Sequence, residues 1–258
     1  MLEITPIPAF SDNYIWLLKA PDSNRVTVVD PGDAAPVRQR LQAENLELAA
    51  ILITHHHRDH TGGIAGLLAQ WPKCRVYGHG PRIPHTTDQV SEGDKIRPPG
   101  LAAWFEVMEV PGHTADHIAY LGGDNLFCGD TLFAAGCGRV FDGTFEQLSA
   151  SLRRIAGLPP QTRVYCAHEY TLDNLGFAGW VEPESPALRR RRQADEQSRS
   201  SEQPTVPSTL TLELATNPFL RTGEPDVVAA AERFAETNLN GHAGVFRALR
   251  EWKDREYD

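Results

Sequence analysis

Between Thr54 and His60 the chain reads Thr-His-His-His-Arg-Asp-His, which sets four histidines and one aspartate within six residues. Imidazole and carboxylate are the side chains that borderline divalent metals such as zinc and iron(II) readily take as ligands. A purely structural cluster explains the run poorly, because neighbouring imidazoles repel when protonated and pack badly. His55 and His57 are two apart, so in an extended segment they project to one side while His56 projects away. His56 therefore reads as a packing or supporting histidine. Asp59 and His60, past a turn, can face a second ion.

Three later segments repeat the pattern of a strand-like run that ends in a possible ligand: Val110-Pro111-Gly112-His113, Leu126-Phe127-Cys128-Gly129-Asp130 and Val164-Tyr165-Cys166-Ala167-His168. Each is weak alone, since a lone histidine after a strand is more often structural. Together they supply the donors that the first motif lacks. His55, His57 and His113 can hold one ion, Asp59, His60 and His168 the other, and Asp130 can bridge both. Two divalent ions less two carboxylates leave about +2, which favours a bridging hydroxide at neutral pH, held in place through Asp59 and Asp130. Asp59 reads as a ligand rather than a free base. Asp30 is either an acceptor for a ligand imidazole N–H or a turn residue. His79, His85, His117 and His242 have no matching context.

The elements that must position these residues follow from periodicity and punctuation. Buried strands are expected at 26–30 and 50–54, the second running straight into the histidines. Further strands are expected at 75–77, 104–110, 118–121, 125–128 and 163–166. Helices are expected over 34–45, 62–71 and 144–158, the last capped by Thr144. After Tyr170 the character changes, with helices over 226–237 and 243–257 and a strongly charged stretch over 187–201. The expected organisation is a mainly β part over residues 1–170 and an all-helical part over 171–258. Arg189–Arg192 read as a solvated helix face, because four successive residues splay around a helix and Asp195 and Glu196 follow.

The 258 residues are 41% apolar and 23% charged, an ordinary globular balance, with a net charge of −9. That field disfavours nucleic acid and anionic membranes as partners, so an anionic substrate must meet a local positive site. The amino-terminal residues lack the basic start and apolar run of a signal peptide. Cys74, Cys128, Cys137 and Cys166 form no C-x-x-C pair and read as reduced thiols, so a cytoplasmic setting is expected.

The run from His55 to His60 resembles the H-x-H-x-D-H signature of the metallo-β-lactamase superfamily. The resemblance is closer to one of its families, glyoxalase II or hydroxyacylglutathione hydrolase, through IPAFSDNYIWLL, THHHRDHTGG, PGHT, GDTLF with AGCGR, AHEYT, NPFLR and RALREWKD. The resemblance implies an α/β (α+β) fold, an αββα sandwich carrying a dinuclear site, followed by a helical domain that helps bind glutathione. It implies hydrolysis of S-D-lactoylglutathione to D-lactate and glutathione, the second step of methylglyoxal detoxification, by a chain acting as a monomer. Its two ions are expected to be zinc, with iron or manganese as alternatives according to supply. Its glutathione contacts carry over onto Arg139, Phe141, Tyr170, Arg250 and Lys253. The family often has tyrosine where Phe141 stands, so a hydroxyl is missing there.

Arg250 and Lys253 are three apart on an expected helix and should share one face, with Val245, Leu249 and Trp252 packed opposite. The rival enzyme reading is a mononuclear-iron sulfur dioxygenase of the same superfamily acting on glutathione persulfide. Asp59, His60 and His168 together with the helical tail disfavour it. A β-lactamase, an RNA-processing enzyme and a metal-stabilised binding module fit less well.

Overall fold

The structure, a computed structural model, describes residues 2–257. The chain forms two compact units that interleave in sequence. One comprises the residues up to Glu109 together with Asp116–Gly129, and the other Val110–Ala115 together with the chain from Asp130 onward. These bounds differ from the division at residue 170 expected from composition.

In the first unit, strands Glu3–Ala9 and Asn13–Lys19 form an antiparallel hairpin, and Arg25–Val29 pairs antiparallel with the second of them. Glu47–Leu52, Arg75–Gly78 and Asp88–Gln89 then extend the sheet in parallel. Parallel neighbours need crossovers. Helix Ala34–Ala43, capped by the Asp33 side chain, and helix Ile64–Gln70 provide two of them. Val37, Leu41, Ile64 and Leu67, all fully buried, pack the two helices onto Val26, Val28 and Ile51. Each such side chain contributes roughly 1.5–3 kcal/mol when buried.

A second, antiparallel set in the same unit runs Lys95–Ile96, Phe105–Glu109, Ile118–Gly122 and Asn125–Gly129. Tyr120 ties it to the first sheet, because its hydroxyl, fully buried, donates to the Ile53 carbonyl at 3.0 Å. Burial pushes that phenol well above its ordinary pKa, so it stays a neutral donor.

In the second unit, helix Phe145–Ala156 begins with a full capping box, the Thr144 side chain accepting from the Gln147 N–H and Gln147 from that of Thr144. Helices Thr171–Val181, Pro186–Ser200, Leu210–Thr216, Pro225–Ala235 and Gly241–Trp252 follow, the last running into a π-helical turn over Lys253–Tyr257. The part after residue 170 is not wholly helical. Ser208–Thr209 pairs antiparallel with the start of strand Arg163–Cys166.

The charged helix also differs from expectation. Arg189, Arg190 and Arg192 are exposed, but Arg191 is buried. Its guanidinium meets Glu213 at 2.6 Å, Thr216 at 2.6 Å and Asp195 at 3.3 Å. The fully buried Glu213 in turn accepts from the Ala135 N–H at 2.8 Å and from Asn217 at 3.0 Å. Ala135 has φ +57°, an unfavourable conformation for alanine, and Glu213 holds it there.

The four cysteines are buried and unbridged. Burial pushes the thiols of Cys74 and Cys166 up to about 12 and that of Cys137 to about 11, so they are poor nucleophiles. Among the described residues no helix is long and apolar enough to cross a membrane.

Candidate active site

The first unit carries its ligand candidates at strand ends. Strand Glu47–Leu52 delivers Thr54 and His55, both fully buried, at its carboxyl end. Strand Arg25–Val29 delivers Asp30 beside them, with Asp30 N–H donating to the Leu52 carbonyl at 3.0 Å. A single helical turn, Arg58–Thr61, then swings Asp59 and His60 round, and the N–H groups of His60 and Thr61 both donate to the His57 carbonyl. The rings of His55 and His57 lie 4.7 Å apart, and those of His55 and His60 4.0 Å apart.

Hydrogen bonds fix which nitrogen of the His55 imidazole faces outward. Thr54 Oγ1 donates to Asp30 Oδ2 at 2.8 Å, and its single proton is thereby used. At 3.1 Å from Thr54 Oγ1, His55 Nδ1 must then be the donor, which leaves Nε2 with its lone pair. His60 Nδ1 lies 3.1 Å from the same Asp30 Oδ2. Asp30 thus anchors His55 through Thr54 and stands beside His60. Gly129, at φ +48°, is glycine because a Cβ there would fall 2.2 Å from Thr54 Oγ1.

His56 does turn away from this set, pairing with Asp116 at 3.4 Å. His117, fully buried, stacks on His55 with centroids 4.6 Å apart.

The second unit repeats the arrangement around one carboxylate. His113 Nε2 lies 3.6 Å from one oxygen of the buried Asp130, and His168 Nε2 lies 3.3 Å from the other. His113 Nδ1 donates to the Arg139 carbonyl at 2.8 Å, so its Nε2 also presents a lone pair toward Asp130. Tyr170 stacks on His168 with centroids 4.8 Å apart and planes 9° apart. Its backbone, at φ −95° and ψ 9°, opens the following helix rather than continuing as a strand. The stacking therefore comes from the turn into the helix, not from an extended segment.

The chain matches two family models end to end: metallo-β-lactamase superfamily over residues 10–168 and hydroxyacylglutathione hydrolase C-terminus over residues 169–256. It is 54% identical to a hydroxyacylglutathione hydrolase of Alkalilimnicola ehrlichii, over 99% of this chain and 100% of that one. The chain belongs to the hydroxyacylglutathione hydrolase family. A second member, from Vibrio parahaemolyticus, is 51% identical over 98% of this chain and 99% of its own.

Among solved structures, TTHA1623 in a di-iron-bound form is 26% identical with a TM-score of 0.60, over 83% of this chain and 99% of that one. ETHE1 from Myxococcus xanthus is 27% identical with a TM-score of 0.58, over 87% of this chain and 100% of that one. Hydroxyacylglutathione hydrolases are thioester hydrolases, and so is this chain. The far higher identity to hydrolases than to ETHE1 disposes of the oxygenase alternative.

The positions onto which the resemblance carries glutathione contacts, Arg139, Phe141, Tyr170, Arg250 and Lys253, all fall in the second unit. Phe141 is 65% exposed and meets the His113 ring edge-on at 5.1 Å. Arg139 approaches Asp254 at 3.7 Å. Arg250 and Lys253 are both buried. Arg250 donates to the Cys137 carbonyl at 3.0 Å and pairs with Asp254 at 3.0 Å, and its guanidinium lies over the Phe219 ring. Lys253 meets Asp173 at 3.3 Å. Trp252 is half-buried and stacks on Phe234. Arg139 and Arg250 thus share the Asp254 carboxylate, while Lys253 meets that of Asp173.

Three residues of the site escaped the sequence reading: Thr54, His117 and Asn13, whose side-chain amide donates to Asp59 Oδ2 at 3.3 Å. A threonine after a strand, a histidine in a mixed run and an asparagine at a strand start carry no signal of their own. One consequence of the Asp30 anchor is measurable. Asp30→Asn should weaken metal retention by about ten- to a hundredfold, because the Thr54 N–H and hydroxyl donate to different oxygens of Asp30 and the amide NH2 would face one of them whichever way it turned. Titration of the loaded protein with a chelator checks it, and retention equal to the parent would remove Asp30 from the account.

Proposed function

We propose that the chain hydrolyses S-D-lactoylglutathione to D-lactate and glutathione, using two divalent ions, zinc in the first instance. His55, His57 and His113 would hold one ion and Asp59, His60 and His168 the other, with Asp130 shared. The donor set fits such a pair. His55 and His113 have their Nδ1–H groups already committed, so each offers a lone pair at Nε2. That observation carries the proposal, because a packed structural cluster has no use for such lone pairs. The groupings His55 with His57 and His113, His55 with His60 and Asp130, and Asp59 with His60 and His168 each have a composition suited to an ion.

Bound there, such ions would supply an ionised water at neutral pH and positive charge for the oxyanion of the attacked thioester. The chain's own residues do the rest. Asp30 and Thr54 keep the His55 imidazole in one tautomer and orientation. Asp130 is buried with His113 and His168 facing its two oxygens. The leaving thiol ionises near pH ~8.5, so its expulsion needs no protein acid, in keeping with the lack of a spare carboxylic acid in the motif. Residues 1–170 form the hydrolytic part of this reading and residues 171–258 the glutathione-binding part. The enzyme would work in the cytoplasm as a monomer, in methylglyoxal detoxification.

Arg250, Lys253, Arg139 and Tyr170 would meet the glutathione moiety, with Phe141 as an apolar neighbour that donates no hydrogen bond. Lys253→Ala should raise KM by roughly ten- to a hundredfold, the loss of one charge-assisted hydrogen bond of about 1.5–3 kcal/mol, and leave kcat nearly constant. Burial of Lys253 means that added salt should change this difference little. Steady-state kinetics at low and high salt, with folding checked first, test it. A parental KM would limit the substrate to an unspecified thioester.

A further inference from the structure

The hairpin joining strands Glu3–Ala9 and Asn13–Lys19 closes through Phe10, Ser11 and Asp12, with Ala9 opposite Asn13. Three observations bind this tip to the Asp59 segment. Asn13, 7% exposed, donates its amide N–H to Asp59 Oδ2 at 3.3 Å. Gly32 lies between the tip and Asp59. A Cβ there would fall 1.8 Å from the Asp59 carbonyl oxygen and 2.9 Å from the Phe10 ring. Phe10 itself holds φ +52° with its ring 61% exposed. Left-handed backbone is rare for a bulky residue, and it persists only where the surroundings impose it.

From this we infer that Asn13 is a positioning residue for Asp59, and that the hairpin tip sets how firmly the second ion is held. The inference rests on the two-ion reading above. The Asp59 side chain is 41% open against none for His60, so burial alone does not fix its carboxylate. His60 Nε2 lies 3.4 Å from the same Oδ2. The Asn13 amide, donating to Oδ2, ties this carboxylate to the hairpin tip. Asp59 and His60 belong to the second ion, whereas His57 and His113 belong to the first. Loss of the amide should loosen one ion and spare the other.

The experiment loads parent, Asn13→Ala and Asn13→Leu with zinc, challenges each with increasing chelator and counts the ions that remain. Leucine nearly matches asparagine in volume and keeps the tip packed should alanine unfold it. The expected result is two ions in the parent and, in the variants, one ion lost at about ten- to a hundredfold less chelator with the other unmoved. A merely structural role would lower the melting temperature and release both ions together, and that result overturns the inference. So does two-ion retention equal to the parent. A parent that binds a single ion overturns the two-ion reading first, and the inference with it.

Discussion

Asp130→Ala should lower kcat/KM by at least about a thousandfold, roughly 4 kcal/mol of transition-state stabilisation, and should lose an ion at the same time. The expectation follows from the position of this carboxylate. Its two oxygens face His113 and His168 at 3.6 and 3.3 Å, and the whole group is buried. No other acid among the described residues stands between two ligand imidazoles in this unit. Alanine leaves both histidines in place but removes the negative charge that would offset the proposed pair of dications. Metal analysis and steady-state kinetics on one preparation check both halves. Two retained ions with parental turnover would show that Asp130 bridges nothing.

The second large effect concerns stability. Glu213→Ala leaves Arg191, 2% exposed along its side chain, without its closest counter-charge and takes the Glu213 acceptor from the Ala135 N–H and the Asn217 amide NH2. Breaking a buried pair by removing one partner costs about 3–5 kcal/mol. In a chain of this size that lowers Tm by roughly 6–20 °C. The Ala135 turn lies between Asp130 and Arg139, so the metal-side loop should loosen before the first unit does. Calorimetry gives the first value, and hydrogen exchange over 131–139 the second. A change in Tm of only a degree or two would mean that Asp195 and Thr216 suffice for Arg191.

The grouping of histidine and aspartate candidates was legible in the sequence because strand ends fix positions. Once 50–54 reads as a strand, the histidines after it have one place to be, and His113, Asp130 and His168 follow the same rule. Asp30 could be read two ways, since an aspartate before Pro-Gly looks alike whether it terminates a strand or anchors an imidazole. Only the approach of His60, thirty residues on, decides between them. Arg191 misled for a related reason. Asp195 lies within helical reach, but the deciding partner Glu213 stands 22 residues away on another helix, and no local pattern announces it. The same holds for Arg250 and Lys253, whose spacing gave a shared face but not that it is buried against Cys137, Asp254 and Asp173. Fold class and family, by contrast, rest on patterns spread along the whole chain, and these the structure and the relatives bear out.

Thiol release from S-D-lactoylglutathione, measured together with metal content on one sample, tests the central claim most directly. The account predicts glutathione appearing at a rate proportional to protein carrying two ions per chain, and its loss as ions are withdrawn by chelator. Turnover that persists in ion-free protein, or a chain loaded with two ions that leaves the thioester intact, would contradict it.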